Sequence, residues 1–518
     1  MSQNFMTGMH NALNVAQTEN GATAFATTNS ALLDLFAQGG ALRARNEAEA
    51  QLLFTTAFGE DQLLATRAMF YFRDARGGQG ERNTFRKQLK WMANAHADIV
   101  RKNIKLIPYF GRWDDLYVLF DTPLEGDAIA TFARQLMEDV DAERPSLLAK
   151  WLKSENTSSQ ESRRLARKTR EGLGLSSKAY RKMLSELREK INVVERLVSA
   201  NQWTDVNYEH VPSQANIKYG RAFLKHDTVR RREFLGSLTK GEAKINASVL
   251  FPYEVVRKVR EGNMGYGVTM SEQDIALYDA LWKALPDYIG DKQENAIAVV
   301  DVSGSMESSN NGLPMDVALS VGMYLAERNT HPAFHNKFIT FSSVPELVDI
   351  VGSNIAEKIL NMKEAKWKMN TDIHAVFRLV LDVAKRNGLT QEELPHKLYI
   401  ISDMEFDNAS SCNSPSSYAS RGYADHYCST NVPVPDEKLF QTIAREFQEA
   451  GYTMPNLVFW NVDARNEQFP MSMDGRGFQM VSGCSPSIFK YTMGSEFLSA
   501  YDMMLEVLNS DRYAVISV

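Results

Sequence analysis

The chain has 518 residues, too many for one hydrophobic core, which predicts two to four domains. Its 44% hydrophobic and 24% charged content is that of a globular protein, and no stretch approaches the roughly 18 uninterrupted apolar residues of a membrane span. Three cysteines exclude a disulfide scaffold and point to a reducing, cytoplasmic setting.

The net charge of −6 is unevenly spread. The first 300 residues carry 41 basic and 37 acidic side chains, and the remainder carry 17 and 27. Residues 151–260 alone hold 23 basic against 12 acidic, a local excess of the kind that meets phosphate.

In chain order, residues 1–28 form a polar lead-in. The first basic residue is Arg43, so the charged start and apolar core of a signal peptide are missing. Residues 29–292 follow a helical pattern. Segments such as ALLDLFAQ, QLLATRAMFYFRDA, FRKQLKWMANAHADIVRKNIKLI and AIATFARQLMEDV place apolar residues three and four apart. Glycine pairs and the 108–112 stretch break the helices. Such a succession suits a bundle or an irregular, HEAT-like α-solenoid without a fixed repeat.

After a Gly-rich passage at 261–267 the pattern changes. AIAVV (296–300), KFITFSS (337–343), KLYIISDM (397–404), NLVFWNVD (456–463), FQMVSG (478–483) and YAVISV (513–518) read as buried strands. Helical segments lie between several of them. Residues 293–518 are therefore expected to form an α/β domain with a mostly parallel, doubly wound sheet. A Ser-, Tyr- and Asn-rich insertion at 406–436 interrupts the alternation.

The sharpest chemical signal is Asp301-Val302-Ser303-Gly304-Ser305, placed directly after a strand pattern. Open α/β sheets bind ligands at the carboxyl ends of their strands. A carboxylate and two hydroxyls at alternating positions can converge on one hard cation. Asn370-Thr371-Asp372 precedes a helix, and Asp403 closes another strand. The bland alternative is a turn that merely caps the next helix. The ordered set of Asp301, Ser303, Ser305, Thr371 and Asp403 resembles the metal-ion-dependent adhesion site of von Willebrand factor A domains. That resemblance implies Mg²⁺, or Mn²⁺ or Ca²⁺, held by these five residues. It also implies that an acidic group of a protein partner completes the coordination. No serine triad, Cys–His pair or Gly-Lys phosphate loop accompanies the site, so no enzyme is expected. Cys412, His426 and Cys428 in the insertion lack a standard zinc spacing.

Two denser segments lie upstream: Phe72-Arg73-Asp74-Ala75-Arg76-Gly77-Gly78-Gln79-Gly80-Glu81-Arg82 and Gly111-Arg112-Trp113-Asp114-Asp115-Leu116. With Tyr180-Arg181-Lys182, Val211-Pro212-Ser213-Gln214-Ala215 and the downstream metal motif, they resemble the TROVE (telomerase, Ro and vault) proteins, and in particular the Ro-like proteins of phages and other genomes. The resemblance implies a HEAT-like helical domain that a von Willebrand factor A domain closes into a ring. It also implies binding of small structured RNAs and single-stranded RNA ends, for stabilisation or quality control.

The candidate RNA-contacting cations fall in three groups. Arg163, Arg164, Arg167, Lys168 and Arg170 share one helix, followed by Arg181 and Lys182. Lys218, Arg221, Lys225, Arg230, Arg231 and Arg232 are interleaved with Tyr219 and Phe223. Arg73, Arg76 and Arg112 sit in the two dense segments. Cations neutralise phosphates and aromatics stack on unpaired bases. The competing reading is a solvated helix face laced with Glu161, Glu171, Glu186 and Glu189. For Asp74, Asp114 and Asp115 a structural role is expected, pairing with arginines at helix corners. The rival function is a protein-interaction adaptor that captures a partner's acidic residue at the metal site.

Overall fold

The computed structural model describes residues 14–263, 270–291, 294–341, 345–363, 372–407, 439–494 and 497–518. The chain divides into two compact units that interleave along the sequence. One comprises Met1–Glu60, Phe251–Tyr266 and Asp287–Val507; the other comprises Asp61–Leu250, Gly267–Pro286 and Leu508–Val518. Among the described residues, no helix is long and apolar enough to cross a membrane.

The first unit is built on a sheet. A short antiparallel hairpin, β1 (Ala16–Gln17) and β2 (Thr23–Ala24), precedes the six main strands. These are β3 (Ala296–Asp301), β4 (Lys337–Phe341), β5 (Glu346–Asp349), β6 (Lys397–Ser402), β7 (Asn456–Asn461) and β8 (Phe478–Ser482). Their spatial order is β5-β4-β3-β6-β7-β8, parallel throughout except for the antiparallel edge strand β5. Counting from the first of them, the order is 3-2-1-4-5-6, which reverses between β3 and β6. That reversal is a topological switch point, the place where such sheets bind ligands.

Strands β3, β6 and β8 are buried at every position, which explains why they read as continuous apolar runs rather than alternating ones. The helix Leu313–Arg328 packs on β3, and Gly322 permits the approach because a Cβ there would collide with Val300. The helix Ala31–Gly39 packs against β8, with Gly40 N–H donating to Ser482 Oγ at 2.9 Å. The lead-in is thus structured from residue 14 onward. The Thr18 hydroxyl donates to the Phe406 carbonyl at 2.5 Å, and Phe25 exchanges backbone bonds with Phe469.

The second unit is helical. Its helices include Gln62–Arg73, Asn83–Ala95, Glu125–Asp141, Gln160–Gly172, Ser177–Ile191, Ser213–His226, Thr228–Lys240 and Glu272–Lys283. Side-chain N-caps fix several starts: Asp61 accepts from Leu64 N–H, Ser159 from Ser162 N–H, and Ser176 from Ala179 N–H. Amphipathicity is extreme in Gln160–Gly172, which buries only Leu165, Ala166 and Thr169.

The segment 513–518, expected to be a strand, forms turns instead and belongs to the helical unit. Its apolar residues serve another core. Tyr513 is fully buried, stacks on Phe110 at 5.5 Å, and donates its hydroxyl to Asp74 Oδ2 at 3.0 Å. Ser517 N–H donates to Asn103 Oδ1 at 3.1 Å.

Candidate functional site

Asp301 ends β3 and is fully buried. Its Oδ1 accepts from Ser303 N–H at 2.9 Å and its Oδ2 from the Ser402 hydroxyl at 2.6 Å. The Ser303 and Ser305 hydroxyls are 3.0 Å apart. Asp403 follows β6, the neighbouring strand, and is also buried. Its Oδ2 pairs with Arg465 at 2.7 Å. The structure therefore brings together Asp301, Ser303, Ser305 and, through Ser402, Asp403. Thr371, together with Cys412, His426 and Cys428, lies outside the described residues.

Two more buried carboxylates join this strand-end cluster. Asp463, just past β7, pairs with Arg465 at 3.7 Å and accepts from the Ser309 hydroxyl. Glu405 accepts from Glu19 N–H at 2.6 Å and from Asn466 at 2.9 Å. The β1–β2 turn also carries the Glu19 carboxylate to within 3.3 Å of Arg465. The sequence reading missed Asp463, Glu405, Arg465 and Glu19. Asp463 was within its reach, since it closes the NLVFWNVD strand as Asp403 closes KLYIISDM.

The electrostatics follow from burial. Desolvation, with the nearby Asp403 carboxylate second, pushes the Asp301 pKa up to about 7, against the pull of hydrogen bonds from Ser402 and Ser303. Burial likewise raises Asp463 and Glu405. Arg465 pairs with Asp403 and Asp463, and Arg43 acts on Asp463 at longer range, so four buried carboxylates share little positive charge.

The donor set fits a hard cation. Adjacent ligands of an octahedral Mg²⁺ lie roughly 3 Å apart, the spacing of the two serine hydroxyls. Among the described residues, no three His, Cys, Asp or Glu side chains are arranged around one ion. Asp301 would hold the cation with Ser303, Ser305 and water, while Asp403 lies past the end of the next strand, held by Arg465. Bound there, the cation would supply a positive centre able to take one acidic ligand.

The basic residues sort into three kinds. Some are interior, which corrects their reading as RNA contacts. Arg73 is buried and paired with Asp115 at 2.7 Å. Arg231 is fully buried among the Tyr208, Phe223 and Phe234 rings and donates to Asn216 Oδ1 at 3.0 Å. Charge counting could not show this, because both arginines sit in charged stretches of sequence.

Others are neutralised. Arg164 pairs with Glu161 and Asp121, and Lys168 with Asp121 and Glu125. Arg170 pairs with Glu155 and Glu171, Lys182 with Glu186, and Arg230 with Asp227. Arg112 pairs with Asp114 at 2.7 Å and lies over the Trp151 ring at 4.0 Å. The third kind is exposed, with no acidic partner among the described residues: Arg76, which donates to the Tyr109 carbonyl, and Arg163, Arg167, Arg181, Lys218, Arg221, Lys225 and Arg232. Arg163 and Arg167 share a helix face at i, i+4, as do Arg221 and Lys225.

The acidic members of the two dense segments are structural. Asp115 accepts from Arg73 and Arg86 at 2.7 Å each, and Asp114 pairs with Arg86 and Arg112. Burial opposes ionisation of Asp114, but the two arginines outweigh it and hold its carboxyl below the usual range. Asp74 accepts from Arg512 and Tyr513. Gly111 is required at the corner, because a Cβ there would collide with Asp115 and Arg73.

Comparison with known proteins covers nearly the whole chain. The family model described as a domain of unknown function (DUF7788) matches residues 295–512. Uncharacterized protein L728 of Acanthamoeba polyphaga mimivirus is 30% identical over 542 residues, spanning 96% of this chain and 87% of that protein. The model described as a domain of unknown function (DUF2828) matches 18–172 and 145–294, more than half of the sequence, and the chain belongs to that family.

Proposed function

We propose that this chain is a Ro-like RNA-binding protein that acts by holding RNA rather than by catalysis. The observation that carries the reading is the set of exposed cations without acidic partners, Arg163, Arg167, Arg221, Lys225 and Arg232, on three helices of one unit. A solvated face stabilised by ion pairs would neutralise them, as it does Arg164 and Lys168. In this reading the helical unit is HEAT-like. The sheet unit is a doubly wound von Willebrand factor A type module, supported by the 3-2-1-4-5-6 order and by the Asp-x-Ser-x-Ser loop at its switch point.

The test is a gel shift with single-stranded and structured RNAs across salt concentrations. Each released counterion steepens the salt dependence, so affinity falls sharply between low and moderate salt. Converting Arg163, Arg167 and Arg221 to Glu abolishes most of the binding, whereas Asp301→Asn leaves it intact. RNA binding that is absent at low salt, or insensitive to the three arginines, overturns the proposal.

A second reading rests on the strand-end cluster. In an adaptor, the cation at Asp301 captures an acidic side chain of a partner protein. Asp301 then governs partner capture and the arginines do not.

A further inference from the structure

Within the helical unit, the helices Leu148–Trp151, Ser177–Ile191, Val194–Ser199 and Ser213–His226 contribute to the lining of a groove of about 830 Å³. That volume is within the range of roughly 300–1,000 Å³ found for small-molecule sites. Its charge is decided by which side chains are already paired. Of its acids, Glu155 is taken by Arg170 at 2.9 Å and by the Ser177 hydroxyl at 2.5 Å, and Glu195 by Lys150 at 3.2 Å. Of its cations, Arg196 is taken by Glu189 at 2.6 Å.

Three cations form no ion pair among the described residues, Arg181, Arg188 and Lys218, although Glu155 acts on Arg181 and Glu195 on Lys218 at longer range. Arg188 is fixed in the wall, donating to the carbonyls of Ala149 and Leu152 and to Ser154 Oγ at 2.8–3.0 Å. Arg181 is exposed and spends only its Nε, on the Ser177 carbonyl at 3.3 Å. The Lys218 ammonium rests over the Tyr219 ring at 4.8 Å. The groove is therefore electropositive, with one immobile guanidinium and two adaptable cations.

Its wall also contains an aromatic platform. Trp151 lines the groove; Arg112, which does not, covers the indole at 4.0 Å, and the groove's own Lys150 ammonium lies over the ring at a looser 5.8 Å. An indole backed by a guanidinium, in a lining where five cations face two carboxylates, suits a ligand with one flat ring and one compact anion. A phosphate monoester carries about −1.5 to −2 at neutral pH, more charge than a diester linkage, and so gains most from three clustered cations. A base stacks on an aromatic side chain regardless of its identity.

We propose that this groove binds a nucleoside monophosphate, with the base on Trp151 and the phosphate at Arg181 and Lys218. Two sources share that chemistry: a free nucleotide and the phosphorylated end of an RNA strand. The second source rests on the RNA-binding reading; the first does not.

The full chain is titrated calorimetrically with adenosine 5′-monophosphate, adenosine and inorganic phosphate. It is also titrated with a short single-stranded RNA bearing either a 5′-phosphate or a 5′-hydroxyl. The nucleotide binds at least about tenfold more tightly than adenosine or phosphate alone, as expected when stacking and charge act together. Arg181→Ala with Lys218→Ala, both at exposed positions, lowers nucleotide affinity about tenfold or more, and Trp151→Phe lowers it less. A preference for the 5′-phosphorylated strand identifies the RNA end as the source. Nucleotide binding without any RNA binding supports the groove and removes the RNA reading. RNA binding without nucleotide binding, or nucleotide binding unchanged in the double variant, overturns the groove proposal.

Discussion

Replacing Asp301 with Asn tests whether the strand-end carboxylates hold a cation. The substitution is conservative for the cation-free fold. Asn keeps a carbonyl for Ser303 N–H, which now donates to Asp301 Oδ1 at 2.9 Å. Its amide can donate to Ser402 Oγ, whose own proton then turns toward Asp403 Oδ1, 3.5 Å away. It also removes one of the four buried carboxylates that Arg465 only partly offsets. In EDTA, Asp301→Asn therefore unfolds at or above the wild-type temperature. With cation the order reverses. A ligand that binds only the folded state at 100 times its Kd stabilises by about 2.7 kcal/mol. In a unit of nearly 300 residues, with about 2.1 cal/mol/K of unfolding entropy per residue, that corresponds to a midpoint shift of about 4 °C. Differential scanning calorimetry in EDTA, then in millimolar Mg²⁺, Mn²⁺ or Ca²⁺, gives the comparison. A wild-type midpoint that no ion moves, or a shift of equal size in Asp301→Asn, refutes the assignment.

Asp115→Ala leaves the buried Arg73 without its carboxylate and also removes a partner of Arg86, so urea unfolding of the helical unit is expected to show a loss of about 3–5 kcal/mol. A loss below about 1 kcal/mol would mean the corner does not depend on this pair. Arg231→Met replaces a guanidinium whose Nε and Nη2 are buried without hydrogen-bond partners, and burial already pulls its pKa down to about 10. The same measurement is expected to find the variant neutral or more stable, and destabilisation beyond about 2 kcal/mol would contradict that. Arg164 and Lys168 hold the exposed Asp121 carboxyl down to about 2. A depressed carboxyl contributes stability above its unfolded value of 3.8, which is lost as pH falls through about 2. Acid unfolding curves of wild type and Asp121→Asn should therefore separate above pH 4 and converge toward pH 2, by a small amount given the exposure.

Legibility in the sequence followed how local the governing physics was. Strands β3, β6, β7 and β8 were readable because each is a short apolar run flanked by turns, and the Asp301 loop because its register to β3 is fixed by adjacency. Strand β5 was not, since Glu346–Asp349 is an edge segment with a single buried residue. YAVISV was misread because a run of apolar residues states only that it will be buried, not against which core. Pairing was the least legible property. Arg163 and Arg164 are neighbours of one type, yet one has no acidic partner among the described residues and the other is held by Glu161 and by Asp121, some 40 residues earlier in the chain.

The same non-locality governs the candidate metal centre. Its motif residues lie within the 295–512 match, but part of what holds them in place does not. Helix Pro252–Asn263, upstream of the Gly-rich passage, sends Arg260 to Glu307 at 2.7 Å and to Asp316 at 2.5 Å. Arg257 donates to the Asn311 carbonyl at 3.1 Å. These contacts secure the turn that follows Ser305, where Asn310, Asn311 and Gly312 take positive φ in succession. Consecutive left-handed residues are costly outside glycine and persist only where surrounding contacts fix them. On the opposite flank, Glu19 and Asn20 hold Glu405 from the N-terminal hairpin. Residues from both family matches thus build one strand-end site. A fragment beginning at residue 293 would keep Asp301, Ser303 and Ser305 while losing Arg257 and Arg260, which secure the adjoining turn, and the hairpin that holds Glu405.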